Sequence, residues 1–528
     1  MSQPETTTAP VTVFRHCHIH TLDSQLTRAG AMVVACGRVV WVGPEDDLGS
    51  GSWKEVDLDG AWVIPGLRDA HTHFLSHALL RQRVDLRDAG SEAVAVRQVA
   101  AYAARRPGTR WILGHGWNEN TWTPPALPSR VSLDEAIPDR PVLLSRADGH
   151  MIWVNTIALR AAGIAADTPD PPGGRIERDA RGEPTGILRE RATALVWDQV
   201  PLASLSERVS ALRQAQAEAL SLGLVGLHTM EGPDALEALQ DMRQKGELSL
   251  RVLVLPPADL RPELGRLGLK PSFGDEWLQL GQLKLFADGS LGSRTAWMLE
   301  PIEGEPDNRG IPIHPPAELA GIIEEAHAAG WPCAIHAIGD AANRTVLDVL
   351  ERAPRAPGSL PDRIEHVQII RPEDATRMGA LGVVASMQPV HVSTDWRVAD
   401  RLWGSRSRHS YAWRLLANAG VTLAFGSDAP VEPISPWAGL QVAITRTGLD
   451  GHPEGGWYPE QRLSLEEALA GFTRGVAAAA GEPHEGRLAP GCRADFVVLG
   501  TDPFTTEPDR LAQSRPVATY VGGRLAWS

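Results

Sequence analysis

Between residues 62 and 426 the chain returns eight times to a short apolar, β-branched run: Trp62 to His71, Leu222 to Met230, Leu250 to Leu255, Leu278 to Phe286, Trp331 to Ile338, Arg363 to Ile369, Val383 to Gln388 and Val421 to Gly426. Leu205 to Leu220, Ala317 to Ala329 and Leu463 to Phe472 carry apolar residues at three- and four-residue spacing, which predicts amphipathic helices. Strands alternating with helices predict parallel βα units, and eight is the number that closes a TIM barrel. The 528 residues leave room for a barrel of about 250 residues and for accessory domains.

Both ends of the chain have a different texture. From Val11 to about Val63, short β-type segments alternate with glycine turns, as in the hairpin predicted to turn at Gly37. Arg493 to Leu499 and Val517 to Ala526 repeat that texture, so the two ends are expected to pair as a small β-sandwich. About 150 residues separate the first and second apolar runs, far more than a βα connection needs, which predicts an inserted subdomain. The expected fold is therefore α/β, a TIM (β/α)8 barrel over 64–482 with a split β-sandwich from 1–63 and 483–528. The insertion after the first strand is expected over 76–202.

Composition excludes several classes. A net charge of −14 without a basic run argues against nucleic-acid or anionic-membrane binding. The four cysteines are far apart and form no CxxC pair, which fits a reducing cytoplasm better than a disulfide framework. The start, MSQPETTTAP, lacks the basic and apolar regions of a secretion signal. Of 51 basic residues only four are lysines, at 54, 245, 270 and 284, so a lysine inside a predicted strand stands out.

The sharpest chemical signal is Pro65-Gly-Leu-Arg-Asp-Ala-His71-Thr-His73 at the end of an apolar strand. Two residues apart on a strand, His71 and His73 face the same way and can share one metal. His16, His18 and His20 alternate in the same manner near the N-terminus, so the spacing alone is weak. Other strand ends also carry ligand types: Lys284 and Asp288 on the fourth, His336 on the fifth, Glu365 and His366 on the sixth and Asp428 on the eighth. Side chains at the C-terminal ends of barrel strands converge on one site.

This set, with PGLxDxHxH opening and GSDAP closing it, resembles the metal-dependent amidohydrolase superfamily. Asp148-Gly-His150-Met-Ile-Trp153-Val-Asn155, the run from Lys284 through Arg294, His336-Ala-Ile-Gly-Asp340 and Glu365-His366 are similar to its YtcJ-like branch, which includes N-substituted formamide deformylases. The resemblance implies that His71, His73 and Asp428 hold one divalent metal, expected to be Zn²⁺. It implies that His336 and His366 hold a second, with Lys284 between them as a CO₂-derived carbamate. Asp428 and Lys284 are then the catalytic residues, Asp428 moving a proton from the metal-bound water to the leaving amine. The implied reaction is hydrolysis of a C–N bond in an N-acyl or N-formyl amide with a hydrophobic substituent. Lactone or phosphotriester hydrolysis at the same site, and a catalytically silent binding or regulatory protein, stay open as alternatives. The expected partner is a small amide-like molecule, with one or two metals and a homodimer left open.

His150, Asp288, Arg294, His391 and Gln388 are polar residues at predicted strand or loop ends, where they either position substrate or make structural hydrogen bonds. Trp117 and Trp122, with Trp111 and Trp153, give the insertion an aromatic content that either lines a substrate site or packs its core.

Overall fold

The computed structural model describes residues 11–528 apart from 109, 148, 149 and 354. Asp148 and Gly149 of the DGH motif, and residues 1–10 of the expected N-terminal module, lie outside the described residues. By its contacts the chain divides into two compact units, residues 1–77 with 212–528, and residues 78–211.

Eight parallel strands form the centre of the larger unit, a TIM-barrel-like α/β arrangement. In chain order they are Leu67–Thr72, Leu224–Thr229, Arg251–Val254, Leu283–Phe286 (preceded by Leu278–Leu280), Cys333–Ala337, Arg363–His366, Val384–Met387 and Leu423–Phe425. Their ladders make two arcs, the first four segments in one and the last five strands in the other. Lys284 N donates to Pro256 O at 2.8 Å across one seam, and Asp428 N to His71 O at 2.8 Å across the other. Nearly every residue of these strands is buried, as expected of a parallel sheet covered on both faces.

The run Trp62 to His71 is not one strand. Lys54–Pro65 belongs to a separate sheet, and the barrel strand starts at Leu67. Gly66 marks the break, where a Cβ would stand 2.5 Å from both γ-methyls of Val225, so only glycine permits the approach.

That separate sheet joins the two ends of the chain. Thr12–Asp23 runs parallel to Lys54–Pro65, which pairs antiparallel with Phe496–Leu499, so that Phe496 faces Pro65 and Val498 faces Val63. The ladders form one eight-stranded sheet, with a core that includes Phe14, Met32, Phe496 and Tyr520. The hairpin Ala31–Ala35 to Arg38–Gly43 turns at Cys36 and Gly37, with φ of 52° and 75°. Asp495 anchors the sheet to the barrel, accepting from Arg251 Nε at 2.7 Å and Nη2 at 2.9 Å. The alternating histidines of Thr12–Asp23 are spent locally: His16 on Asp57 at 2.8 Å, His18 stacked on Trp62 and His20 on Asp502 at 2.9 Å.

The smaller unit has its own six-stranded sheet, in the order Gly174–Arg178, Pro184–Glu190, Met151–Val154, Val142–Arg146, Ile112–Trp117 and Val84–Asp85. Trp117, Trp122 and Trp153 lie in its core with ring centroids 6.1–6.3 Å apart. Trp117 Nε1 donates to Leu144 O and Trp153 Nε1 to Ser129 O. No helix among the described residues is long and apolar enough to cross a membrane.

Candidate metal centre

His71, His73, Lys284, His336, His366, His391 and Asp428 all line one cavity of about 420 Å³. Backbone geometry brings them there. His71 and His73 flank the end of the first strand, and the loop after the eighth is zipped to it by Asp428 N to His71 O and His73 N to Ala429 O, both 2.8 Å. Asp69 ties the same seam, accepting from His71 N at 2.9 Å and Ser427 N at 3.1 Å. Gly426 is required there because a Cβ would sit 2.5 Å from Asp69 Oδ1 and 2.6 Å from His71 N. His366 and Asp428 adopt φ of 75° and 59°, the left-handed region that non-glycine residues rarely enter.

The ring nitrogens are already sorted into donors and free ligands. His71 Nδ1 faces Glu365 Oε2 at 2.7 Å, His73 Nδ1 faces Met230 O at 3.1 Å and His366 Nδ1 faces Gln388 Oε1 at 2.8 Å. Each acceptor fixes the proton on Nδ1 and leaves Nε2 with a lone pair toward the cavity, as outer-shell partners of metal-bound histidines do. His71 Nε2 and His73 Nε2 stand 3.5 and 3.4 Å from Asp428 Oδ1. Ligands about 2.0–2.1 Å from a tetrahedral ion are about 3.3–3.4 Å from one another, so the spacing fits a shared ion. The ligand atoms of His71, His73 and Asp428 form one candidate metal group, and those of His366, His391 and Asp428 another. The second brings His391 to His366 and Asp428; His336, expected to pair with His366, lines the same cavity with its Nε2 facing Gly289 O at 3.0 Å.

Electrostatics favours ligation. Burial holds His71 below its ordinary pKa against the pull of Asp428 and Glu365, and burial with neighbouring His336 holds His366 well below it. Burial and Lys284 bring His336 down to about 3. At His73 the Asp428 carboxylate outweighs burial and raises the pKa. Burial would raise Asp428 too, but the surrounding histidines overcome it and keep the carboxylate ionised. At His71, His336 and His366 the site thus offers neutral imidazoles and at Asp428 a charged carboxylate, the protonation states a divalent ion needs, while at His73 an ion would have to displace the proton that Asp428 favours.

Lys284 is buried, its Nζ has no hydrogen-bond partner, and it lies 4.2 Å from the centroid of the Phe286 ring. Burial lowers its pKa to about 8. About a tenth of the amine is then neutral at pH 7, against well under a thousandth for an ordinary lysine.

The other expected site residues have other places. Asp288 accepts the N–H groups of Trp297, Ile338 and Gly339 at 2.8, 3.0 and 2.8 Å, anchoring the loop after the fourth strand. Arg294 is exposed and paired with Glu305. His150, exposed in the smaller unit, faces Glu190 at 3.1 Å, and Trp117 and Trp122 are core residues of that unit. Of the proposed substrate contacts in the larger unit, His391 lines the cavity.

Sequence reasoning assigned no role to Arg363 or Asp69 and none to Glu365 beyond its motif. Arg363, fully buried, pairs its charge with Glu365 (Nε to Oε1 2.6 Å), donates from Nη2 to Glu365 Oε2 at 3.2 Å, and also reaches His228, Ala70 O and Ser386. Arg363 and Glu365 sit two apart in the short strand Arg363–His366, and that alternation of opposite charges was the available signal. A third ligand-type group, His327, Cys333 and Asp362, lies at the N-terminal ends of the fifth and sixth strands, the face of such barrels that serves stability.

Eight parallel strands in a TIM-barrel-like arrangement, with histidines and an aspartate gathered at their C-terminal ends, are the arrangement expected of a metal-dependent hydrolase. Residues 54–526 match the amidohydrolase family, and the chain belongs to it. It is 33% identical to YtcJ of Bacillus subtilis (strain 168), covering 96% of this chain and 98% of that protein. It is 37% identical to the protein LONG AFTER FAR-RED 3 of Arabidopsis thaliana (96% and 90% covered) and 27% identical to the N-substituted formamide deformylase of Arthrobacter pascens (97% of each). A solved metal-dependent hydrolase of Pyrococcus furiosus superposes with a TM-score of 0.80 at 29% identity, covering 94% of this chain and 100% of that one. The chain is a hydrolytic enzyme of the amidohydrolase type, acting on C–N bonds.

Proposed function

We propose that the enzyme cleaves an N-acyl or N-formyl amide bearing a hydrophobic substituent, at a centre holding one or two divalent ions, with Zn²⁺ the expected metal. The observation that carries this reading is the set of Nε2 atoms on His71 and His73 facing Asp428 Oδ1 at 3.5 and 3.4 Å, each ring oriented by an acceptor on Nδ1. His71, His73 and Asp428 would hold one ion. His366 and His391 would hold the second, with Lys284 and His336 beside them on the cavity wall. Such an ion supplies Lewis-acid polarisation of the carbonyl and a water acidified toward a pKa of about 7.

The chain's own groups do the rest. Asp428, held ionised, accepts the proton of the attacking water on its carboxylate and returns it to the leaving nitrogen. Lys284 in its neutral form would add to CO₂, forming an N–C bond and releasing one proton, so that a neutral amine becomes an anionic carbamate with oxygen atoms suited to ligate a divalent ion. Phe286, Leu291 and Ile338 form an apolar wall for the hydrophobic substituent. The relative from Arthrobacter pascens, an N-substituted formamide deformylase, supports the formamide class. The four unpaired thiols support a reducing, cytoplasmic setting.

The test is a panel of N-formyl amides, N-acyl amides, lactones and phosphotriesters, assayed on protein stripped of metal and then reloaded. Amide turnover that disappears with the metal and returns with it supports the reading. Turnover of lactone or phosphotriester alone, or no metal-dependent turnover, refutes it.

A further inference from the structure

The cavity has another wall that the metal-ligand sets leave unused, made by Gln368, Thr394, Asp395 and Glu432. Asp395 stands in the first turn of the helix Val392–Trp403. Buried Tyr411 donates its hydroxyl to Asp395 Oδ2 at 2.5 Å. Gln368 Nε2 faces the same oxygen at 3.4 Å. A carboxylate only accepts, so it turns the amide nitrogen toward itself and leaves Gln368 Oε1 pointing elsewhere. Gln368 is 4% exposed, it lines the cavity, and its Oε1 has no hydrogen-bond partner. Glu432 accepts the Thr394 hydroxyl at 3.2 Å.

This wall therefore presents a carbonyl oxygen without a donor and two carboxylates. Among the described residues no lysine or arginine forms an ion pair with Asp395 or Glu432, and the cavity's one lysine or arginine, Lys284, belongs to the metal centre. His391 is the other basic side chain that bears on both carboxylates. Acceptors gathered in a partly dry cavity need a donor-rich cation to satisfy them.

We infer that Gln368, Asp395 and Glu432 form a subsite for a cationic nitrogen of the substrate, an alkylammonium whose N–H groups bond to these acceptors. The hydrocarbon linking that nitrogen to the scissile amide lies along Phe286, Leu291 and Ile338, so the substrate class is an aminoalkyl amide. The cationic subsite stands on the wall's geometry, and the amide at the other end rests on the function proposed above.

The experiment is calorimetric titration of the metal-loaded, full-length protein with 1,5-diaminopentane and with its uncharged isostere 1,5-pentanediol. Neither is hydrolysable, so the result does not depend on turnover. The diamine is expected to bind about ten- to a hundredfold more tightly, the worth of a hydrogen-bonded charge, and Asp395→Asn and Glu432→Gln should each shrink that ratio. Equal affinities in the unaltered protein, or a ratio that neither substitution moves, would overturn the subsite. So would a loss of one bound Zn²⁺ per chain in Asp395→Asn, which would make the wall a metal site. Turnover of the mono-N-formyl diamine is measured separately. If the diamine preference holds and that amide is not hydrolysed, the amide reading fails and the subsite stands.

Discussion

Replacing Glu365 by Gln removes one charge from the network behind the metal ligands, and both consequences can be sized. Burial would raise the Glu365 pKa, but Arg363 and His71 outweigh it and keep it well below the usual range, so the native group is a carboxylate. It lies 2.6 Å from Arg363 Nε and 2.7 Å from His71 Nδ1, and all three side chains are almost wholly buried. Glutamine leaves the Arg363 guanidinium in the interior with only the neutral groups of His228, Ala70 and Ser386, and breaking a buried pair from one side costs about 3–5 kcal/mol. The amide must also choose an orientation. With its oxygen toward His71 the ring keeps its tautomer, but the NH₂ then faces Arg363. With its NH₂ toward His71 the proton is driven to Nε2, which can no longer bind metal. Metal affinity should therefore fall about 10–100-fold. Competition with a chromogenic chelator measures affinity, and denaturant midpoints of the metal-free protein measure stability. The double substitution Glu365→Leu with Arg363→Met should recover stability, because apolar groups replace the pair, while affinity stays low. A Glu365→Gln protein that binds metal and unfolds like the parent would refute the reasoning.

Asp288→Ala should destabilise by at least about 3 kcal/mol, since three buried N–H groups lose their acceptor, and an unchanged denaturant midpoint would contradict this. Trp122→Ala should cost about 3–5 kcal/mol within the smaller unit and accelerate hydrogen exchange across residues 78–211; unchanged protection there would return Trp122 to a role outside the core. At His327, burial lowers the pKa but the Asp362 carboxylate outweighs it, so the folded value lies above the ordinary 6.5. The stabilisation from that pair is complete below pH 6.5 and fades as pH rises through the higher folded value. His327→Gln should therefore lose more stability at about pH 6 than at about pH 9, and an equal loss at both would reject the ionised pair.

The barrel strands were legible because a strand buried on both faces must be an apolar run: seven of the eight lie within the runs found in the sequence, and the first, Leu67–Thr72, passes the end of its run by one residue. The first run misled at its start, since Lys54–Pro65 and Leu67–Thr72 read as continuous and only the crowding of Gly66 against Val225 separates them. The candidate metal ligands at strand ends were equally easy to pick out, because HxH at a strand end and GSD after another are local patterns. His391 was named for substrate or second-shell work, and its place beside His366 and Asp428 comes from the turn after the seventh strand, which no local pattern encodes. Arg294 and the tryptophans show the opposite failure. A guanidinium can clamp a substrate or pair with Glu305, and an indole can line a pocket or fill a core, and composition does not distinguish these.

The central claim is a divalent ion bound by His71, His73 and Asp428. The direct measurement is anomalous scattering at the zinc edge from crystals of the zinc-loaded enzyme. The account predicts a peak about 2.0–2.2 Å from His71 Nε2, His73 Nε2 and an Asp428 carboxylate oxygen. A map with no peak there, or with its only peak beside His327, Cys333 and Asp362, would contradict it.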